Sequence, residues 1–171
     1  MSPMPTLMPM SKKNLPIALV KAVTETDFGN GSMLFGQYIR SLDFDLYFQD
    51  VERELNEIHL EYGHPQGALL LAYDRSIDRA IGCIGIRRFD EGSAELKRMY
   101  VHPEYRGLQL GRKLLEMALV EASKLGYASV LLDSDSSMKS ALRLYREFGF
   151  QEIGPYRYNP MKGAVYMRKE L

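Results

Sequence analysis

The residues best placed to do chemistry lie in one stretch, 96–115. An apolar run ends at Val101, a turn with Pro103 follows, and Arg106-Gly107-x-x-x-Gly111 opens straight into an amphipathic segment. Strand, glycine-punctuated loop and helix in that order make a phosphate cradle. The glycines keep side chains clear, while the helix start offers unpaired N–H groups and the positive end of its dipole. The pattern is not a P-loop, because no Gly-Lys-Ser/Thr follows to grip phosphate and hold magnesium. Nor is it the dinucleotide fingerprint, which needs another glycine and follows the first strand. Taken alone, the loop has one alternative: a turn that only caps a helix.

The surrounding elements must hold this cradle. Residues 17–23 read as a strand, and 24–27 supply cap residues for a helix through 33–42. After a connection at 43–48, a second helix over 50–60 places Val51, Leu55 and Ile58 on one face. Three strands at 68–73, 80–86 and 93–101, joined by short turns, predict an antiparallel meander. In the third, Ala94 and Leu96 are apolar at even positions, Met99 and Val101 at odd ones. A β-bulge near Lys97 and Arg98 would bring all four to one face, splay the strand and free backbone groups for a ligand. A helix over 109–125 carries Leu110, Leu114, Met117, Ala118, Ala122 and Leu125 on one stripe. A short strand at 129–132, a helix over 138–148 capped by Ser137, and strands at 150–153 and 164–168 complete an α/β arrangement with a mixed sheet.

Composition narrows the class. A chain of 171 residues suits one domain, and equal numbers of basic and acidic side chains, 22 of each, give no argument for nucleic acid or an anionic membrane surface. Cys83 is the single cysteine, so no internal disulfide or cysteine-clustered zinc site exists; it sits in an apolar run and reads as a small buried hydrophobe. The histidines lack metal-ligand spacing, so no metal is expected. No apolar run is long enough for a membrane span, and cytoplasmic residence is the expectation. Residues 1–14, rich in Met and Pro at their start, are expected to be a disordered leader.

Two segments together resemble the GNAT superfamily of N-acetyltransferases. The superfamily's phosphate loop runs Gln/Arg-x-x-Gly-x-Gly/Ala. Arg106 and Gly111 match it, and Gln109 stands where the middle glycine would be. An ordinary helical backbone is expected at 109, leaving its amide to face phosphate. The second segment, Ala141-x-x-Leu144-Tyr145-x-x-x-Gly149-Phe150, matches a superfamily pattern on the last helix and following strand. An Asn often found three residues before that Ala is Met138 here, so its bond to the cofactor arm would fall to Ser136, Ser137 or water. Segments 67–72, 155–160 and 163–167 are similar to a bacterial branch without an assigned acceptor. The resemblance spans about 17–171. It implies a GNAT domain over 15–171, with a mixed, mostly antiparallel central sheet of about six to seven strands flanked by about four helices.

The resemblance further implies acetyl-CoA as co-substrate and direct attack by a primary amine of a small molecule. Gly107 would shape the loop. Backbone N–H groups of Leu108, Gln109, Leu110, Gly111 and Arg112 would take the diphosphate, with Arg106 and Arg112 adding charge. The pantetheine arm would pair with Met99 and Val101 like an added strand, and an oxyanion donor would be a backbone N–H near Met99, Tyr100 or Val101. Glu95 is the candidate general base; its alternative is a solvated strand carboxylate paired with Lys97 or Arg98. Tyr145 is the candidate general acid; its alternative is a core tyrosine.

Two acceptor walls conflict. Asp43, Asp45, Asp50, Glu52, Glu54, Glu57 and Glu61 would attract a cationic amine, their alternative being a solvated charged face, whereas Arg157 in the loop 156–159 would take a carboxylate. Rival functions are a non-catalytic acyl-CoA sensor and a protein N-acetyltransferase. A homodimer through the C-terminal strands is a further implication by analogy.

Overall fold

The computed structural model describes residues 11–47 and 49–171. Most of the expected leader, and Phe48 at the end of the 43–48 connection, lie outside that description; Lys12–Asn14 form one 3-10 turn.

The strands are β1 (Ile17–Lys21), β2 (Ala68–Asp74), β3 (Arg79–Arg88), β4 (Ser93–Val101), β5 (Ser129–Asp135), β6 (Gln151–Ile153) and β7 (Ala164–Glu170). The helices are α1 (Glu25–Arg40), α2 (Val51–Asn56), α3 (Ile58–Glu61), α4 (Leu110–Lys124) and α5 (Lys139–Glu147). The seven strands form one sheet in the order β1-β2-β3-β4-β5-β7-β6. Every pairing is antiparallel except β4 with β5.

Three elements differ from expectation for local reasons. The first helix starts at Glu25, directly after the expected cap residues, because Thr24 and Asp27 form a capping box strong enough to carry the turn through Gly29 and Gly31, and it ends at Arg40 rather than Leu42. The second splits into α2 and α3 because Glu57 leaves helical geometry, with φ −112° and ψ 23°. That split makes five helices. The last helix has Met138, not Ser137, at its N-cap; the Ser137 hydroxyl instead donates to Asp135 Oδ1 at 2.6 Å.

The sheet separates two cores. On one face α4 covers Leu70, Ile84, Ile86 and Leu96; on the other α1 and α3 cover Leu69, Leu71, Cys83 and Tyr100. Gly85 permits a close crossing on the second face, since a Cβ there would lie 2.5 Å from the Tyr62 ring. The buried Tyr62 hydroxyl donates to Glu54 Oε1 at 2.6 Å, joining α2 to this core.

The bulge in β4 is present. Two steps along β3, from Gly85 to Cys83, match three along β4, from Lys97 to Tyr100, and Arg98 adopts φ +57°. The extra residue brings Leu96, Met99 and Val101 onto the α4 face together. Beyond Glu95, paired with Leu131, β4 has no partner on its β5 side. The two strands part there, and the gap becomes a cleft.

Candidate active site

The cleft has two compartments. A groove runs along the open edge of β4 to the start of α4. A cavity lies where β4 and β5 diverge. Tyr38, Met99, Met138 and Ala141 line both, so the compartments meet at a common wall.

The groove gathers Met99, Tyr100, Val101, Arg106, Gly107, Gln109, Leu110 and Gly111. It does not include Leu108 or Arg112. Leu108 packs against the core, and Arg112 pairs with Glu147 while its guanidinium stands 5.4 Å from the Phe148 ring centroid. Arg106 Nε donates to Val101 O at 3.2 Å, tying the loop to the end of β4. Gly107 turns the chain at φ +87°. Gln109 also turns it, at φ +62° and ψ 22°, which corrects the expected helical backbone there. The chain must reverse hand to enter α4 from this loop, a geometry that glycine adopts without strain and that costs other residues about 1–2 kcal/mol.

The start of α4 carries no side-chain cap and no acidic residue in its first turn. Its first ladder bond runs from Lys113 N to Gln109 O at 3.1 Å. The amides of Leu110, Gly111 and Arg112 therefore precede the helical ladder, and Leu110 and Gly111 line the groove. These are donors aimed at an anion, with the helix dipole behind them. Ser140, rather than Ser136 or Ser137, lines the groove beside Met138. The Met138 sulfur accepts from the Tyr38 and Ser134 hydroxyls, each at 3.8 Å.

Glu95 and Tyr145 are placed differently. Tyr145 is 6% exposed, lines the cavity, and packs edge-on against Phe150 at 5.7 Å. Burial, with the Tyr38 hydroxyl near, pushes its phenol up from the ordinary value, so it stays protonated. Glu95 is not among the residues lining either compartment. Its carboxylate accepts from Arg87 Nε at 2.9 Å, Arg157 at 2.7 Å and the Tyr156 hydroxyl at 2.8 Å. Burial alone would raise this carboxyl, but Lys97, Arg87 and Arg157 bring it down to about 2. Its partners are thus two arginines and a tyrosine, with Lys97 as a neighbouring charge.

Other groups occupy the cavity instead. Lys97 is 5% exposed; its Nζ donates to Gln49 Oε1 at 3.3 Å and lies 3.7 Å from Asp133 Oδ1. Burial lowers its ammonium to about 8 against the pull of Glu95. Arg98 bonds Glu54 through Nε and Nη2, at 3.2 and 2.7 Å, and Gln49 at 2.6 Å. Asp133 Oδ2 accepts from Asn159 at 3.1 Å. Of the seven acidic residues expected to form an acceptor wall, none lines this cavity, and Glu54 is consumed by Arg98 and Tyr62. Arg157 is held by Glu95. Cys83 is buried, donates to Arg98 O at 3.3 Å, and has its thiol raised by burial, as suits a core residue. Among the described residues no group of three His, Cys, Asp or Glu has metal-site geometry, and no helix is long and apolar enough to cross a membrane.

Tyr38, Gln49, Asp133 and Asn159 carry no motif of their own. Asp133 and Lys97 did leave a trace: each is a charged residue in a strand, at a position where alternation points it toward the α1 face.

Comparison with known proteins agrees with this architecture. The model of the acetyltransferase (GNAT) family matches residues 36–150. A Schizosaccharomyces pombe protein named as an uncharacterized N-acetyltransferase is 39% identical over 163 residues, covering 95% of this chain and 98% of its own. An IAA acetyltransferase of Azospirillum brasilense is 39% identical over 93 residues, covering 53% of this chain and 61% of its own. Among solved structures, an acetyltransferase from Streptococcus agalactiae shares the fold with a TM-score of 0.74 at 21% identity, covering 91% of this chain and 98% of its own. One from Salmonella typhimurium, solved with its cofactor acetyl-CoA, gives 0.68 at 18% identity, covering 90% and 93%. With the family model matched over 36–150 and a 39%-identical relative covering 95% of its length, the chain belongs to the GNAT family and is an acyltransferase.

Proposed function

We propose that the protein transfers an acetyl group from acetyl-CoA to a primary amine of a small molecule, by direct attack. The observation that carries this reading is the wall shared by groove and cavity at Tyr38, Met99, Met138 and Ala141. A donor lying in the groove and an acceptor lying in the cavity would meet there. The residues present suit the donor. The amides of Leu110, Gly111 and Arg112 and the loop at Gly107 offer a seat for a diphosphate, with Arg106 adding charge. The open edge of β4 at Met99 and Val101 offers backbone partners to an amide-bearing arm, as an added strand would. The donor supplies the acyl group as a thioester.

Tyr145 holds a proton at the cavity side of the wall and would deliver it to the departing thiolate. The bulged backbone near Met99 would donate an N–H to the developing oxyanion. The proton leaving the amine needs an acceptor within the cavity. In this reading Asp133 takes that role, because it lines the cavity and Glu95 does not. Glu95 then acts at one remove, fixing Arg157 and Tyr156 and setting the field at Lys97.

Titration calorimetry with acetyl-CoA tests the donor site, and no heat of binding by folded protein would end this reading. The chemistry is tested by Tyr145→Phe. Loss of a positioned general acid should lower kcat by roughly 10²-fold with KM for acetyl-CoA unchanged. A wild-type kcat would remove Tyr145 from the mechanism.

A further inference from the structure

We infer that the cavity is built for an amino-acid-type acceptor, whose carboxylate lies on Lys97 and Arg98 while its amine lies on Asp133. The inference deepens the acetyltransfer reading and rests on it.

The cavity brings Lys97 and Asp133 together without saturating either, beside an Arg98 held by Glu54 and Gln49 and an Asp135 bonded to Ser137. Lys97 has three donors but spends them on a 3.3 Å bond to Gln49 and a 3.7 Å approach to Asp133. Such partners are poor for an ammonium only 5% exposed, and burial without good pairing is costly. The bonds of Arg98 use Nε and Nη2, and its Nη1 takes part in none of them. Asp133 has one good partner, Asn159, at 3.1 Å. Its side chain is 4% exposed and faces Lys97 across a gap too long for a hydrogen bond.

Three ligand charges can be compared on this floor. A simple cationic amine would meet Asp133 but also the like charge of Lys97, the charge of Arg98 being offset by Glu54. A simple anion would meet Asp133 at close range. A zwitterion satisfies both ends: its carboxylate completes Lys97 and Arg98, its ammonium completes Asp133, and charges alternate around the set. The apolar side of the cavity, with Leu42, Phe44, Leu132 and Met161, leaves room for a side chain. Arg157, the other candidate for a carboxylate, is already held by Glu95 at 2.7 Å.

The test uses the full chain and begins with calorimetry, which must detect acetyl-CoA; its failure would strike the acetyltransfer reading rather than this one. CoA release is then measured with α-amino acids and their matched α-carboxamides. The expected result is a preference of at least tenfold in kcat/KM for the acids. Lys97→Met should raise KM for the acid by about tenfold and abolish the preference, and Lys97→Arg should restore part of it. Amides turned over as well as acids, or a preference intact in Lys97→Met, would overturn the inference. Should no acceptor react, N-acetyl-amino acids and their amides are compared as ligands of the CoA-bound protein by thermal shift. Greater stabilisation by the acids is expected, and equal or absent shifts overturn the inference as well.

Discussion

The N-termini of α1 and α4 present the same chemistry and solve it in opposite ways. At α1 the Thr24 hydroxyl accepts from Asp27 N, and the Asp27 carboxylate accepts from the amides of Val23 and Thr24, all at 3.1 Å. The protein closes this helix with its own side chains. At α4 no side chain does so, and the first turn carries no acid. An uncapped helix end set in a groove is a binding feature, because the missing partners must come from outside.

β4 repeats the contrast along a single strand. Its first residues pair on both sides, and Glu95 among them is saturated by Arg87, Arg157 and Tyr156. Its last residues, beyond the divergence, pair with β3 alone. Closed polar groups hold the fold, and open ones face the cleft.

The largest test concerns the closed end of β4. Glu95→Gln leaves Arg157 without its anion and Arg87 with Glu61 alone, and should cost about 3–5 kcal/mol in denaturant unfolding at neutral pH. The sign with pH follows from the depressed carboxyl. A folded value near 2, below the ordinary one, means the contribution is complete above the ordinary carboxylate range and disappears as pH falls toward 2. Wild-type stability should fall through that window, and the Gln variant should fall less steeply; parallel curves would show that Glu95 is not held as described.

Next in size is the open end of α4. Gly111→Asp places a carboxylate in the first turn, where a Cβ meets only Leu144 at 3.9 Å. It should leave thermal stability unchanged or raised, yet weaken acetyl-CoA binding by roughly 100-fold, since the dipole that welcomes an acid would no longer be free for a diphosphate. Gly111→Ala is the neutral control, and an affinity within threefold of wild type for the Asp variant would erase the contrast.

Smaller effects sharpen it. Thr24→Ala should cost about 1 kcal/mol in stability, with no change in acetyl-CoA affinity by calorimetry. Gln109→Gly removes the side chain from a left-handed position but adds freedom to the unfolded chain, so a net gain of only about 0.5 kcal/mol is expected in thermal melts. A clear loss would mean that the Gln109 side chain contributes contacts of its own.

Much of this was legible in the sequence, and the limits have physical causes. The phosphate loop could be read because glycine spacing and helix periodicity are local. The β4 bulge could be read because Leu96 and Val101 break a two-residue alternation that nothing else repairs. The helical backbone expected at Gln109 was wrong because residue type argued against a left-handed turn that the chain path requires. The place of Glu95 was invisible for a different reason. Arg87 is its neighbour across the sheet, while Arg157 and Tyr156 arrive from a loop about sixty residues away, and no local pattern announces such a cluster. Tyr38 and Asp133 join the site in the same way, through the divergence of β4 and β5.

The shared wall of groove and cavity has a thermodynamic corollary. A molecule seated against Tyr38, Met99, Met138 and Ala141 from one side alters the surface offered to a molecule on the other. Whatever factor one occupant imposes on the affinity of its neighbour, the neighbour must return in full, because linkage is reciprocal. Affinities measured for either occupant alone will therefore differ from those in the ternary complex by one common coupling energy.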